Sequence, residues 1–210
     1  MSTVQKYTLT LYTVDVDGIA ADQKITAPAA MLLNGIESSG GTWTSPDGYA
    51  HQIALESSAD IQTAVFTVVG TDSNGAAQTE TITGINNSAV ESTKYYKTIT
   101  SITPDISVAS NVHAGLVDEA VTKAYPLSEK GSGHITYQVT VSGTASVSFQ
   151  GTLDDPQLVT VPNWVTLTSG SALTASTLLA FQGPLAAARL MVNSYSSGAV
   201  VTFFVSQTLK

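Results

Sequence analysis

The stretch Val65-Phe66-Thr67-Val68-Val69-Gly70-Thr71-Asp72-Ser73-Asn74-Gly75, with Gln78-Thr79-Glu80-Thr81-Ile82-Thr83-Gly84 behind it, decides the fold class. From Ile61 to Val69 the apolar residues Ala64, Phe66 and Val68 alternate with Val65 and Val69, so both faces of an extended chain are apolar, as in a strand buried between two layers. Asn74-Gly75 reads as a two-residue hairpin turn, because both residues tolerate positive φ. Beyond the turn, Thr79, Thr81 and Thr83 share one face while Glu80 and Ile82 share the other. A strand, a tight turn and a second strand make an antiparallel hairpin.

The same period of two extends in both directions. Tyr7, Leu9 and Leu11 alternate with Thr8 and Thr10, and Thr93 to Ile102 repeats the habit. Further on, Ile135, Tyr137, Val139 and Val141 face one way, with His134, Thr136, Gln138 and Thr140 facing the other. A turn at Ser142-Gly143 leads to Ala145, Val147 and Phe149; Leu190 and Val192 precede a turn at Ser196-Ser197-Gly198 and a last strand from Ala199 to Val205. Helical signals are confined to Ala114–Ala124 and Ala27–Leu33, each long enough for a turn or two. Tyr125 to Gly133 gathers Pro, Gly and Ser where the apolar pattern pauses. The expectation is therefore an all-β chain of two antiparallel, jelly-roll-like β-sandwich domains, residues 1–125 and 126–210, with at most one or two short helical turns.

Composition narrows the chemistry. Of 210 residues only 11% are charged, well below the usual quarter, whereas 53 are Ser or Thr. Net charge is −8, Arg189 is the single arginine, and the seven lysines are scattered, which argues against nucleic acid as a direct partner. No apolar run suits a membrane helix: Ala54 to Val69 is interrupted by Glu56, Ser57, Ser58, Asp60 and Gln62. Met1 to Lys6 are polar and precede no apolar signal core, so synthesis in the cytosol without processing is expected. Cysteine is absent, removing disulfides, thiolate metal sites and thiol nucleophiles. The residues name no cofactor and no enzymatic chemistry.

Two runs carry a resemblance. Phe66 to Gly75, Gln78 to Gly84 and Lys94-Tyr95-Tyr96-Lys97-Thr98-Ile99-Thr100-Ser101-Ile102-Thr103 resemble a recurrent module of structural proteins of tailed bacteriophages. Tyr137-Gln138-Val139-Thr140, Phe149-Gln150-Gly151-Thr152-Leu153-Asp154-Asp155-Pro156, Trp164 and Ala187-Ala188-Arg189-Leu190-Met191-Val192 are similar to the C-terminal sandwich found beside that module. Together the runs span roughly residues 60–210; residues 1–59 add nothing to the match. The resemblance implies a virion protein assembled in the bacterial host cytoplasm, of the head decoration (cement) or head-fibre type, or else a tail accessory. Its implied partners are the major capsid protein or another virion protein, and copies of itself, with a homotrimer favoured.

Each candidate site has a plain structural reading beside it. Asp15-Val16-Asp17-Gly18 with Asp22 resembles part of a calcium loop, but Ile19 and Thr26 stand where further ligands belong, so an acidic turn is preferred. Asp154-Asp155-Pro156 offers two carboxylates to a metal or to acid–base chemistry, yet neighbours on an extended chain point apart and Pro156 marks a turn. His51, His113 and His134 are the only imidazoles; no G-x-S-x-G elbow accompanies them, and His134 falls on a polar face. Trp43, Trp164, Tyr49, Tyr95, Tyr96 and Tyr137 either stack on sugars or close cores, the latter being commoner in sandwiches. Arg189, beside the small run Leu185-Ala186-Ala187-Ala188, is expected to pair with a carboxylate within the chain or across a subunit joint. Arg189, Tyr95, Tyr96 and Trp164 are thus the candidate interface residues.

Three functions compete on these grounds. A capsid-surface protein acts by cohesion, an adhesin needs exposed aromatics near Asp, Asn or Gln, and a polysaccharide hydrolase needs paired carboxylates in a groove. The first is preferred.

Overall fold

The structure, a computed structural model, describes residues 2–127, 134–159 and 161–208. The chain runs through β1 (Ser2–Thr10), β2 (Ala20–Ile25), β3 (Ser38–Ser39), β4 (Thr42–Thr44), β5 (Ala50–Glu56) and β6 (Val65–Thr71). It continues with β7 (Ala77–Thr83), β8 (Ala89–Glu91), β9 (Thr98–Pro104), β10 (Val108–Val121) and β11 (Tyr125–Pro126). Last come β12 (His134–Ser142), β13 (Ala145–Thr152), β14 (Val165–Thr166), β15 (Thr177–Gln182), β16 (Ala187–Tyr195) and β17 (Val200–Thr208). Among the described residues the single helical element is the 3-10 turn Thr168–Gly170. The all-β expectation holds.

The chain divides into two compact units, Met1–Thr13 with Glu119–Lys210, and Val14–Asp118. This corrects the division at residue 125. β1 pairs with β17 in nine antiparallel steps from Ser2↔Thr208 to Thr10↔Val200, which carries the first strand into the unit built by the last third of the chain. Tyr125 and Pro126 are no linker either, since they pair with Ala188 and Ala187 of β16. Ser128 to Gly133, the rest of the expected linker, lie outside the described residues.

In the first unit the four-stranded sheet β1-β17-β12-β15 supplies Leu9, Ile135, Tyr137, Val139, Val201, Phe203 and Val205 to the core. A second layer, with β13 between β14 and β16, supplies Val147, Phe149, Leu190 and Val192. Tyr137 of one layer stacks on Phe149 of the other with ring centres 4.8 Å apart, and Phe149 and Phe203 lie 5.5 Å apart. Strict alternation along β12 buries Ile135, Tyr137 and Val139 and leaves His134 and Gln138 outside, as the period predicts. Gly143 and Gly198 take positive φ at the two expected turns.

The second unit sets the sheet β3-β4-β9-β6-β7 beside a layer in which β2 and β5 accompany β10 and β8 pairs β5. Its core holds Trp43, Ile53, Leu55, Phe66, Val68, Tyr96, Ile99, Ile102, Val112 and Leu116. β6 buries Phe66 and Val68 but leaves Val65, Thr67 and Val69 half-buried, so the strand has one core face rather than two. The hairpin after it also differs from expectation. Only Gly75 takes positive φ, and Asp72 N–H donates to the Ala76 carbonyl, closing a three-residue loop of Ser73, Asn74 and Gly75. The Asp72 carboxylate accepts the N–H groups of Asn74 and Ala76, which fixes that loop.

Neither expected helical turn forms. Ala114 to Val121 belong to β10, where Ala114 pairs with Ala20 of β2 and Ala120 and Val121 pair with Val192 and Met191 of β16. Ala27–Leu33 is irregular, with Leu32 N–H held by Gln23 Oε1 at 2.8 Å. Sheet partners on both flanks outweigh the local helical spacing.

Candidate functional site: the Trp164–Arg189 face

Register builds the site. β13 lies between β14 and β16, so Gln150 faces Thr166 on one side and Arg189 on the other. The Arg189 Nε–H donates to Gln150 Oε1 at 2.7 Å, and Gln150 Nε2 reaches Thr166 Oγ1 at 3.4 Å. Trp164, immediately before β14, brings its ring under the guanidinium, 4.4 Å from the ring centre. A planar cation over an indole face is favourable and stiff. Beside whatever charge it meets, Arg189 therefore has an aromatic face and an amide as partners within its own sheet. Arg189 and Trp164, chosen separately, therefore belong to one site.

The chain entering Trp164 adds apolar surface. Leu153 (73% exposed), Leu158 (83%) and Val161 (74%) project from it, and Val165 follows on β14. Its course is braced by the acids read earlier as a turn. Asp154 N–H donates to Thr152 Oγ1, and Asp154 Oδ2 accepts the Asn163 N–H at 2.7 Å. Asp155 Oδ1 accepts the Gln157 N–H at 2.8 Å, while the Asp155 carbonyl accepts from Leu158 and Val159. Asp154-Asp155-Pro156 therefore shapes the loop that displays the apolar residues. Exposed apolar side chains on a braced loop are the kind of surface that contacts favour. No motif announces this patch; its only sequence signal is apolar residues in a segment without alternation.

Tyr95 and Tyr96 lie in the other unit, just before β9, where Tyr96 forms an isolated bridge with His51. Tyr96 is fully buried, which corrects its selection as an interface residue. Burial, with the Glu80 carboxylate 3.4 Å away, pushes the Tyr96 hydroxyl well above its ordinary value. Tyr95 is half-buried, and its carbonyl accepts from Gln78 Nε2. Trp43 and Tyr137 are buried too, so three of the six candidate stacking rings are core residues.

The imidazoles sit in structural pairs. His51 is wholly buried, with Nε2 3.0 Å from both Asp47 oxygens, and Ser45 Oγ donates to the same carboxylate. The serine thus stands on the acid's side of the pair, the reverse of a hydrolytic triad. Burial works to raise the Asp47 pKa, but hydrogen bonds and charge from His51, with the Tyr49 N–H and Ser45, hold it below the usual carboxylate value. His113 Nδ1 meets Asp22 at 2.9 Å with Glu56 3.5 Å from Nε2, and exposed His134 meets the Gln182 amide. Asp22 thus has His113 as its partner, and His113 also acts on Asp17 in the Asp15–Gly18 turn. There the Asp15 carboxyl, hydrogen-bonded to Asp17, raises the Asp17 pKa, with burial adding to it. Among the described residues no three His, Asp or Glu side chains are grouped to hold a metal ion.

No family model matches the sequence, and no curated protein matches it. Among solved structures, the PBSX exported protein XepA is 8% identical over 97% of this chain and 86% of its own, with a TM-score of 0.31. The major capsid protein P2 from bacteriophage PM2 is 11% identical over 98% of both chains, with a TM-score of 0.22. A secreted protein from Parabacteroides distasonis is 10% identical over 98% of this chain and 89% of its own, with a TM-score of 0.26. Superpositions this loose join phage and non-phage proteins alike and assign no role.

Proposed function

We propose that this chain is a non-enzymatic structural protein of a bacteriophage particle, one that binds and stabilises the capsid surface as a decoration, cement or head-fibre protein. The observation that carries the reading is the Trp164–Arg189–Gln150 face with Leu153, Leu158 and Val161 exposed beside it. Such a face suits protein–protein contact: aromatic and arginine anchors at the centre, apolar surface around them, and a braced loop that loses little freedom on docking. A copy docked this way buries on the order of 800 Å² of its own surface, and repetition around a symmetric shell multiplies the contact.

The sequence resemblance and the composition support the same reading. A shell protein needs endurance, and this chain has few charges, no cysteine, and histidines held in structural pairs. The glycan-binding alternative, a tail accessory or adhesin, needs clustered exposed aromatics, whereas Trp43, Tyr96 and Tyr137 are core residues.

The test is reconstitution. Purified protein added to expanded capsids lacking it should bind saturably and raise the temperature at which they release their contents. Failure to bind, with no gain in heat resistance, overturns the reading.

A further inference from the structure

A cavity of about 120 Å³ lies within the first unit, lined by Tyr137, Leu179, Ala180 and Phe181 from one layer and by Phe149 and Leu167–Gly170 from the other. Its floor is buried Tyr137, Phe149 and Gly170, and its rim is exposed Thr168, Ser169 and Ala180. Three of its lining residues, Leu179, Ala180 and Phe181, come from β15, the outer strand of its sheet among the described residues. Gly170 helps to keep the floor in place, since a Cβ there would come 2.7 Å from the Phe149 ring.

The second observation is chemical. Tyr137 is 1% exposed, yet its hydroxyl has no hydrogen-bond partner among the described residues. Buried hydroxyls are nearly always satisfied, because leaving one unpaired forfeits its hydration without return. Stacking on Phe149 and Phe203 fixes the ring, so the hydroxyl does not swing out to solvent. The side chains facing Tyr137 across the floor are those of Phe149, Leu167, Leu179 and Phe181, and the hydroxyls of Thr168 and Ser169 lie at the rim. No charged side chain lines the space.

We propose that this cavity binds a compact, uncharged, largely apolar molecule bearing one hydrogen-bond acceptor, with the Tyr137 hydroxyl as donor. An apolar cavity of about 150 Å³ accommodates benzene, so a six-membered ring is the appropriate scale. A cyclic ketone combines that size with a strong acceptor. This inference is independent of the virion reading.

The experiment titrates the full-length protein with cyclohexanone and with toluene, following methyl resonances by NMR and the midpoint of thermal unfolding. Cyclohexanone should saturate with a Kd near 1 mM, roughly the efficiency expected of so small a ligand. Tyr137→Phe should weaken cyclohexanone about fivefold, the worth of one hydrogen bond, and leave toluene within about twofold. Leu179→Trp should abolish binding of both probes; should that variant fail to fold, Ser169→Phe at the rim should give the same loss. Absence of saturable cyclohexanone binding overturns the proposal. Undiminished ketone affinity in Tyr137→Phe overturns it too, as does binding that survives the blocking variants.

Discussion

Arg189 and Trp164 are bound to each other by register: β14, β13 and β16 run side by side, and the guanidinium settles 4.4 Å from the indole centre with its Nε–H on Gln150. The pair forms within the fold itself. Were this face to dock, the cost of ordering its longest side chain would already be met.

Trp164→Ala should therefore separate docking from folding. Loss of the cation–aromatic contact should cost the isolated protein only about 0.5–1 kcal/mol. Capsid binding should fall by roughly tenfold or more, as expected when a central anchor is truncated. Denaturant titration and a capsid-pelleting assay measure the two quantities. Equal capsid binding by Trp164→Ala would remove this face from the interface.

Acid should destabilise the second unit through Asp47. Its folded pKa lies below the ordinary value, so ionised Asp47 contributes stability that is fully present above about pH 4 and is lost as pH falls through the depressed folded pKa. Asp47→Ala should lower stability at pH 7 by about 1–3 kcal/mol, because Ser45 Oγ, the Tyr49 N–H and the His51 ring lose the carboxylate they share. The same variant should flatten the acid limb of the stability curve, measured by urea unfolding between pH 2 and 6.

Gly70→Ala should open the β6–β9 pair. A Cβ at residue 70 would stand 1.9 Å from the Thr98 carbonyl oxygen, so the strands must part at their register shift. A loss of about 1–3 kcal/mol is expected, the usual result of overpacking, and hydrogen exchange should quicken along β9.

Ala172 offers the opposite case. It has φ of 50° without being glycine, and its N–H is held by Ser148 Oγ at 3.0 Å. Ala172→Gly should relieve left-handed strain and raise stability by up to about 1 kcal/mol, provided the added freedom of the unfolded chain does not offset it. Thermal unfolding decides the sign.

Strand faces were readable from residues alone because alternation reports which side chains share a side. Ile135, Tyr137 and Val139 are buried together for that reason, as are Phe66 and Val68. Partners were not readable. Nothing in Ser2–Thr10 says that it pairs with Val200–Thr208, and that pairing moved the unit boundaries. Leu116, Val117, Ala120 and Val121 fit one helical face as well as a strand; neighbours on both flanks of β10 settle it. Arg189 stood out as the single arginine, but its position over Trp164 depends on strands distant in sequence, which no local pattern encodes.

The central claim is that this protein serves as a component of an assembled phage shell. Quantitative mass spectrometry of purified phage particles produced in cells that express this chain measures that directly, as copies of this chain per major capsid protein. The account predicts a fixed ratio set by shell symmetry, with copies in the hundreds. A handful of copies would move the protein to the tail, and its absence from intact particles would contradict the account outright.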